Sequence, residues 1–278
     1  MRELLRQGLL DGGLFLNGSA GPLFVRLVGD AQQFPMRWLL IIPPFAEEMN
    51  KSRRMFSLLA QQLAGQNMGV LLPDFYGTGD SYGDFADARV EIWRDDCASL
   101  IELLHAAGVT GINLLGARSG ALLAAELCGQ KSRIENLLLW QPVVKGRLFM
   151  KQFLRLRMAA DLMRTDSAGL GIEESFAEQG GVEVAGYWLS KEFYQSFVEL
   201  NINTHVQVSG RVAWYELSTQ SEAKLTLPAR QTIECWRTSG LVLDDAVLMG
   251  EAFWSTTEIT VSDTLLARSC SFLHGAGM

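Results

Sequence analysis

The sequence lacks an apolar segment long enough to cross a membrane. Its most apolar stretch, Trp38 to Ala46, is about half the length of a bilayer-spanning helix and contains two prolines. The N-terminus carries charges at Arg2, Glu3 and Arg6 and has no uninterrupted apolar run, so no signal peptide is predicted. We therefore expect a soluble, cytoplasmic protein with no integral membrane segment.

Cysteine and histidine are both scarce. The four cysteines are far apart and form no C-x-x-C pair, which favours reduced thiols over a disulfide framework or a zinc site. There are three histidines, and each is expected to have a structural role. We expect neither a metal ion nor any other cofactor.

Basic residues are outnumbered by acidic residues, 24 against 31, for a net charge of −7. Nucleic-acid-binding proteins need a basic surface, so general nucleic-acid binding is not expected. A chain of 278 residues with a hydrophobic fraction of 48% is long and apolar enough for one α/β domain that carries an insertion.

The chain opens with two β-prone runs, 13–17 and 23–28, joined by a turn rich in Gly, Asn and Pro, which predicts a hairpin. Short continuous apolar runs then alternate with helical patterns, as is typical of a doubly wound, mainly parallel sheet. The predicted strands are 38–42, 70–73, 112–115, 137–140, 212–217 and 246–249, and the predicted helices are 51–64, 89–107, 120–128, 229–238 and 264–273.

The alternation stops at 145–209, which predicts a helical cap inserted into a core formed by 1–144 and 210–278. Between Lys145 and Arg164, six basic residues stand against one acid, Asp161, and are interleaved with Leu, Phe and Met. This basic amphipathic segment fits a cap helix with a solvated face, or a lid over an anionic substrate. It also fits a patch that contacts a membrane surface or an acidic partner.

Residues 73–81, P-D-F-Y-G-T-G-D-S, follow a predicted strand. They resemble the D-x-x-G-x-G-x-S loop of α/β hydrolases, in which two glycines permit a tight chain reversal beside the site. This resemblance places Tyr76 near the site. An ordinary glycine-rich turn is the alternative interpretation.

Residues 114–121, L-L-G-A-R-S-G-A, join a predicted strand to a helix and resemble the nucleophile elbow of the same proteins. Gly116 and Gly120 bracket Arg118, whose guanidinium stays protonated and cannot accept an acyl group. A second register places Ser119 at the tip of the turn; the pair of glycines favours Arg118.

The other members of a catalytic triad are not evident. In this fold an acid follows the seventh strand and a histidine follows the eighth. The carboxylates near the first position are Glu216 and Glu222, and the segment 250–254, G-E-A-F-W, contains no histidine. The sequence therefore predicts a degenerate Ser-His-Asp triad.

Residues 43–54, P-P-F-A-E-E-M-N-K-S-R-R, occupy the loop where hydrolases place an oxyanion-hole amide, yet they are highly charged. One interpretation is a solvated loop and helix start capped by Asn50 or Ser52. The other is that Glu47 or Glu48 faces Arg118 in a charge-assisted pair, which could be bidentate. Glu216 is a third candidate for the carboxylate that pairs with Arg118.

The P-P-F-A-E-E-M-N-K-S-R-R loop together with the G-x-R-x-G elbow resembles the exosortase A system-associated hydrolases of the second type. These are α/β-hydrolase-superfamily proteins found beside bacterial exopolysaccharide and protein-sorting genes. The likeness runs from about Trp38 to Trp140 and from about Val212 to Trp254. It implies a bacterial cytoplasmic protein with the α/β-hydrolase fold, connected to surface polysaccharide or sorted proteins, and it identifies no substrate.

Two functional hypotheses follow. The protein is either a hydrolase of an ester or acyl bond, acting through Ser119 or without a triad, or a catalytically inactive binding or accessory protein in which Arg118 holds an anionic ligand or partner. The candidate catalytic residues are Arg118, Ser119, Glu47, Glu48 and Glu216. The candidate ligand-binding residues are Phe45, Ala46, Tyr76, Gly120 and Trp254.

Overall fold

The computed structural model describes residues 12–29, 34–129, 133–162, 170–202 and 205–275. The strands are β1 (Gly12–Asn17), β2 (Pro22–Val28), β3 (Arg37–Ile42), β4 (Met68–Pro73), β5 (Gly111–Ala117), β6 (Asn136–Trp140), β7 (Gly181–Val184), β8 (Tyr187–Ser190), β9 (Val212–Ser218) and β10 (Leu243–Met249). The helices are α1 (Ala46–Ala64), α2 (Val90–Ala106), α3 (Gly120–Gly129), α4 (Gly146–Leu162), α5 (Ile172–Glu178), α6 (Lys191–Glu199), α7 (Leu227–Thr238) and α8 (Asp263–His274), with a single 3₁₀ turn at Phe85–Asp87.

Eight strands form the central sheet in the order β1-β2-β4-β3-β5-β6-β9-β10. The first three are joined by antiparallel pairing, and all the others pair in parallel. The predicted doubly wound, mainly parallel sheet with its N-terminal hairpin is therefore confirmed.

The central strands are apolar throughout because helices cover both faces of the sheet. Alternate residues of β3 show this: Leu40 and Ile42 pack into one core with α2, α3 and α7, whereas Leu39 and Ile41 pack into another with α1 and α8. In the second core, Trp140 stacks on Phe56. No helix in the described part of the chain combines the length and the apolar character that crossing a bilayer requires.

Between β6 and β9 the chain forms α4, α5, the hairpin β7–β8 and α6. The segment predicted to be a helical cap thus also contains two strands. The reason lies in the turn between them, where Ala185 and Gly186 both have positive φ, 49° and 85°. Such a turn matches the twist of a two-residue hairpin. The C-terminal part of the basic segment, including Arg164, lies outside the described residues.

Helix α1 begins at Ala46, five residues before the predicted start. Phe45 occupies the cap position and makes no side-chain capping bond, so the proposed caps Asn50 and Ser52 are wrong, since both lie inside the helix. Glu47 and Glu48 fill the first turn, where the positive end of the helix dipole favours carboxylates. The charged stretch is therefore a helix start rather than a loop.

Candidate functional site

The turn between β5 and α3 places Arg118 at its tip. Arg118 has φ of +51°, a left-handed conformation that is costly for a residue other than glycine, whereas Ser119 is not in this region. The two glycines make the close packing possible. A Cβ atom would lie 2.6 Å from the Ala121 Cα if added at Gly116, and 2.2 Å from the Ile42 carbonyl oxygen if added at Gly120. The turn is thus pressed against the end of β3.

The Arg118 guanidinium is held by three groups. Its Nε and Nη2 atoms donate to Glu48 Oε1 at 3.3 and 3.0 Å, and Nη1 donates to the Gln141 carbonyl oxygen at 3.1 Å. Its Cζ atom lies 4.8 Å from the centre of the Trp254 ring, a cation–π distance. These bonds use three of the five guanidinium N–H groups.

Glu48 is the carboxylate that faces Arg118. Its Oε2 atom is buried and has no hydrogen-bond partner in the described part of the chain. Burial raises the pKa of the Glu48 carboxyl above its usual value, although the charge and the hydrogen bond of Arg118 act in the opposite direction. Desolvation is the larger effect, so the interactions with Arg118 do not fully offset the cost of burying the charged carboxylate.

Glu47 points elsewhere. It is exposed, and its Oε1 atom accepts hydrogen bonds from the Tyr187 hydroxyl at 3.1 Å and the Asn50 amide at 3.4 Å. Tyr187 belongs to β8, so this contact joins α1 to the inserted segment. Of the three carboxylates considered as partners of Arg118, which are Glu47, Glu48 and Glu216, Glu48 is the one bonded to it in the described structure.

Ser119 is shielded from solvent. Its side chain is 3% exposed, and its Oγ atom has no hydrogen-bond partner in the described structure. It lines a narrow apolar pocket of about 10 Å³ together with Phe45, Phe75 and Trp93. Such a space holds one water molecule at most and no substrate.

Phe45 is the centre of an aromatic cluster rather than part of an open site. Its ring is 2% exposed and lies 5.3 to 6.1 Å from six other rings. Those rings belong to Phe85, Trp93, Phe149, Phe153, Phe193 and Phe197. The next residue, Ala46, is buried with φ of +56°. The cluster therefore fixes α4 and α6 to the core.

A larger cavity of about 460 Å³ opens beside Arg118. Its walls come from the segment after β6, from α4, from the end of β9 and from the start of α7. The charged residues in these walls are Arg118, Lys145 and Glu216, and the polar ones are Gln141, Gln152, Thr226, Gln231 and Thr232. Val143, Val144, Leu148 and Phe149 provide apolar surface. The volume suits a small organic ligand.

Glu216 is part of the wall and is already bonded. It is 5% exposed and accepts hydrogen bonds from the Thr226 amide and hydroxyl, each at 3.0 Å, and from the Trp214 indole at 3.3 Å. These bonds hold the start of α7 against β9. Glu216 therefore shapes the cavity and does not orient a histidine.

The residues that line the two cavities include no histidine in the described part of the chain. His274 bonds the Cys270 carbonyl through Nδ1 at 2.9 Å, His205 pairs with Gln207, and His105 is in the last turn of α2. Trp254 follows β10, the strand after which hydrolases place their histidine, and it packs on Arg118.

Tyr76 is not brought into the site. Its ring packs against Tyr82, and its carbonyl accepts a bond from the Trp93 indole at 3.0 Å. The neighbouring Asp74 is buried and bonded to Arg53 at 3.0 Å. The glycine-rich loop is thus a packed structural turn in this protein.

Gln141 belongs to the site but was not predicted from the sequence. It has φ of +42°, its carbonyl accepts from Arg118, and its side-chain oxygen accepts from the Leu217 amide at 2.7 Å. Its place directly after β6 could have identified it, because the carboxyl ends of neighbouring parallel strands lie at one edge of the sheet. Thr226 of the cavity wall was not predicted either, whereas Lys145 and Gln152 belong to the segment 145–164 for which a lid over an anionic substrate was one interpretation.

Comparison with known proteins supports the fold. No family model and no curated relative matches this chain. Among solved structures it is similar to Est1E from Butyrivibrio proteoclasticus bound to ferulic acid, with a TM-score of 0.65 and 15% identity over 94% of this chain and 96% of the other.

Two further structures cover similar shares of the chain. Mouse α/β-hydrolase domain-containing protein 10 has a TM-score of 0.59 and 12% identity over 95% of this chain and 97% of its own. XC6422 from Xanthomonas campestris, an α/β serine hydrolase without a lid, has a TM-score of 0.55 and 13% identity over 96% of this chain and 93% of its own. The chain therefore has the α/β-hydrolase fold.

Proposed function

We propose that this chain is a ligand-binding, catalytically inactive protein of the α/β-hydrolase superfamily, which holds a small amphipathic anion beside Arg118. The observation that carries the proposal is Arg118 itself: it occupies the tip of the strand-to-helix turn and borders the 460 Å³ cavity. A permanently protonated guanidinium at this point can bind an anion and cannot attack an ester.

The chemistry of the cavity supports an anionic ligand. Arg118 has two N–H groups left after its bonds to Glu48 and Gln141. Lys145 adds a second positive charge at the wall, while the carboxylate of Glu216 is already bonded to Thr226 and Trp214. The apolar wall around Val143 and Phe149 would take a hydrocarbon portion of the same ligand.

The biological setting rests on the sequence resemblance. The charged P-P-F-A-E-E segment and the G-x-R-x-G motif support membership of the exosortase A system-associated hydrolases of the second type. On that basis we place the protein in the bacterial cytoplasm, where it would assist exopolysaccharide production or protein sorting. The pairing of Glu48, from the first motif at the start of α1, with Arg118, from the second motif, agrees with the two motifs acting together.

Titration calorimetry with medium-chain fatty acids and alkyl phosphates tests the proposal. We expect binding of these anions and none of the corresponding alcohols. Arg118→Ala should weaken binding at least about tenfold, because one bond to a charged group contributes about 1.5–3 kcal/mol. Lys145→Ala, at an exposed wall position, should weaken it without affecting folding, and Lys191→Ala, away from the cavity, should have no effect. Unchanged binding in both cavity variants contradicts the proposal.

The second candidate is a hydrolase that uses Ser119. It is favoured by one observation, the buried Ser119 Oγ that has no partner and lines its own pocket. An active serine needs a base within hydrogen-bond reach, and the described pocket residues provide none. Labelling with a fluorophosphonate separates the two functions: labelling that is lost in Ser119→Ala supports the hydrolase, and an unlabelled wild-type protein supports the binding protein.

A further inference from the structure

Helix α4 carries an exposed face on which a basic row runs beside a row that is apolar except for Gln152. Arg147, Lys151 and Arg155 recur at every fourth position, and all three are exposed. Leu148, Gln152 and Leu156 form the adjoining row at the same spacing. Leu148, Leu156 and Met158 are 55%, 53% and 55% exposed. We call these two rows and Met158 the α4 face.

From this face we infer that the protein docks on an anionic lipid bilayer through α4. The inference goes beyond the proposed function, because it concerns the outer surface and does not require a ligand in the cavity. Helices that lie in a membrane interface carry Lys and Arg on a polar side and large apolar side chains on an adjoining apolar side. The α4 face has both, with Arg147, Lys151 and Arg155 beside the exposed Leu148 and Leu156. The opposite side of α4 is already occupied by the aromatic cluster, through Phe149 and Phe153.

The charges of the α4 face are available to lipid headgroups. In the described part of the chain neither Lys151 nor Arg155 makes an ion pair, and Arg147 makes only the exposed pair with Glu199. The net charge of −7 does not oppose binding, because charges farther away than the Debye length of about 8 Å are screened at physiological salt. The local basic row therefore decides the interaction.

The α4 face continues into the mouth of the cavity. Leu148 and Gln152 line the cavity, and Leu148 is also exposed, so it stands at the rim. At the start of α7, Leu227 is 59% exposed and directly precedes Pro228 of the cavity wall. Arg230 is exposed one turn farther along the same helix. Docking through α4 would bring this rim to the lipid headgroups.

Co-sedimentation of the full chain with vesicles tests the inference. We expect binding to vesicles that contain phosphatidylglycerol, no binding to pure phosphatidylcholine, and release when sodium chloride is raised. The double variant K151E/R155E should lose at least about 30-fold in partitioning, since each basic residue near an anionic surface contributes about 1 kcal/mol. L148S/L156S should lose about tenfold through its apolar contribution.

The control is R54E/K191E, which changes the net charge by the same amount at exposed positions outside α4. It should keep wild-type partitioning, as should Arg118→Ala, which separates docking from ligand binding. Three results would each overturn the inference. They are equal losses of partitioning in the two charge-reversal variants, no binding by the wild-type protein, and binding that does not depend on the salt concentration. The wild-type salt titration tests the electrostatic part of the inference even if a variant fails to fold, and L148S/L156S gives a second test of the α4 contact if K151E/R155E does not fold.

Discussion

Two N–H groups of Arg118 converge on a single oxygen of Glu48. Nε and Nη2 lie 3.3 and 3.0 Å from Oε1, whereas Oε2 is buried and has no partner in the described structure. A bidentate pair would engage both oxygens. The pair therefore leaves one buried carboxylate oxygen without a hydrogen bond, which agrees with the burial that raises the pKa of Glu48.

Arg118→Ala should lower the free energy of unfolding by about 2 kcal/mol. Breaking a fully buried pair costs about 3–5 kcal/mol, and this pair falls below that range because water reaches both side chains. They are 18% and 22% exposed. Urea unfolding at neutral pH measures the effect. Arg147→Ala, which breaks an exposed pair with Glu199, should cost less than about 0.5 kcal/mol. Similar losses in the two variants would show that Glu48 does not depend on its partner.

The same pair should give stability a dependence on pH. Because the pKa of Glu48 is raised above its ordinary value of 4.5, the folded state binds the proton more tightly than the unfolded chain does. This contribution is complete below the unfolded pKa and is lost as pH rises through the folded pKa. The wild-type protein should therefore lose stability relative to Glu48→Gln as pH rises from 4.5. Urea unfolding over a pH series measures this difference, and parallel curves would contradict the prediction.

The parallel part of the sheet could be predicted from the sequence because most of its strands are short apolar runs separated by segments with helical periodicity. The left-handed conformation of Arg118 agrees with the Gly116–Gly120 spacing, since that spacing reflects a steric need that is local to the chain. The pairing of Arg118 with a carboxylate was open among Glu47, Glu48 and Glu216. The start of α1 at Ala46 sets the directions of Glu47 and Glu48, and Glu216 is bonded to Thr226 and Trp214 instead.

Other features depend on contacts between distant segments and could not be predicted. The cavity wall joins residues from β6, α4, β9 and α7, and its polar members carry no motif. Phe45 was expected to contact a ligand, and the side chains of α4 and α6 surround it instead. The hairpin β7–β8 was missed because its four-residue strands are too short to show periodicity.

Ser119→Ala should leave stability unchanged or raise it by up to about 1 kcal/mol, because the variant removes a buried hydroxyl that has no partner. Ser269→Ala is the matched control at another buried serine. Its Oγ accepts from the Trp140 indole at 2.9 Å and donates to the Leu265 carbonyl at 2.7 Å. Removing this hydroxyl should lower the free energy of unfolding by about 1–3 kcal/mol. Thermal unfolding of both variants measures the contrast. A clear loss in Ser119→Ala would mean that its hydroxyl has a partner in solution.

Phe45→Ala should loosen the inserted segment from the core. The Phe45 ring is 2% exposed and contacts two rings of α4 and two of α6, so its removal leaves a cavity at this junction. We expect a loss of about 3–5 kcal/mol and faster proteolytic cleavage within 145–209 than in the sheet. Phe45→Leu keeps much of the volume and should lose less, while Phe15→Ala, at a position 61% exposed, should cost below about 1 kcal/mol. Cleavage spread evenly along the chain in Phe45→Ala would show that the insertion and the core unfold together, and that Phe45 stabilises the whole domain rather than this junction.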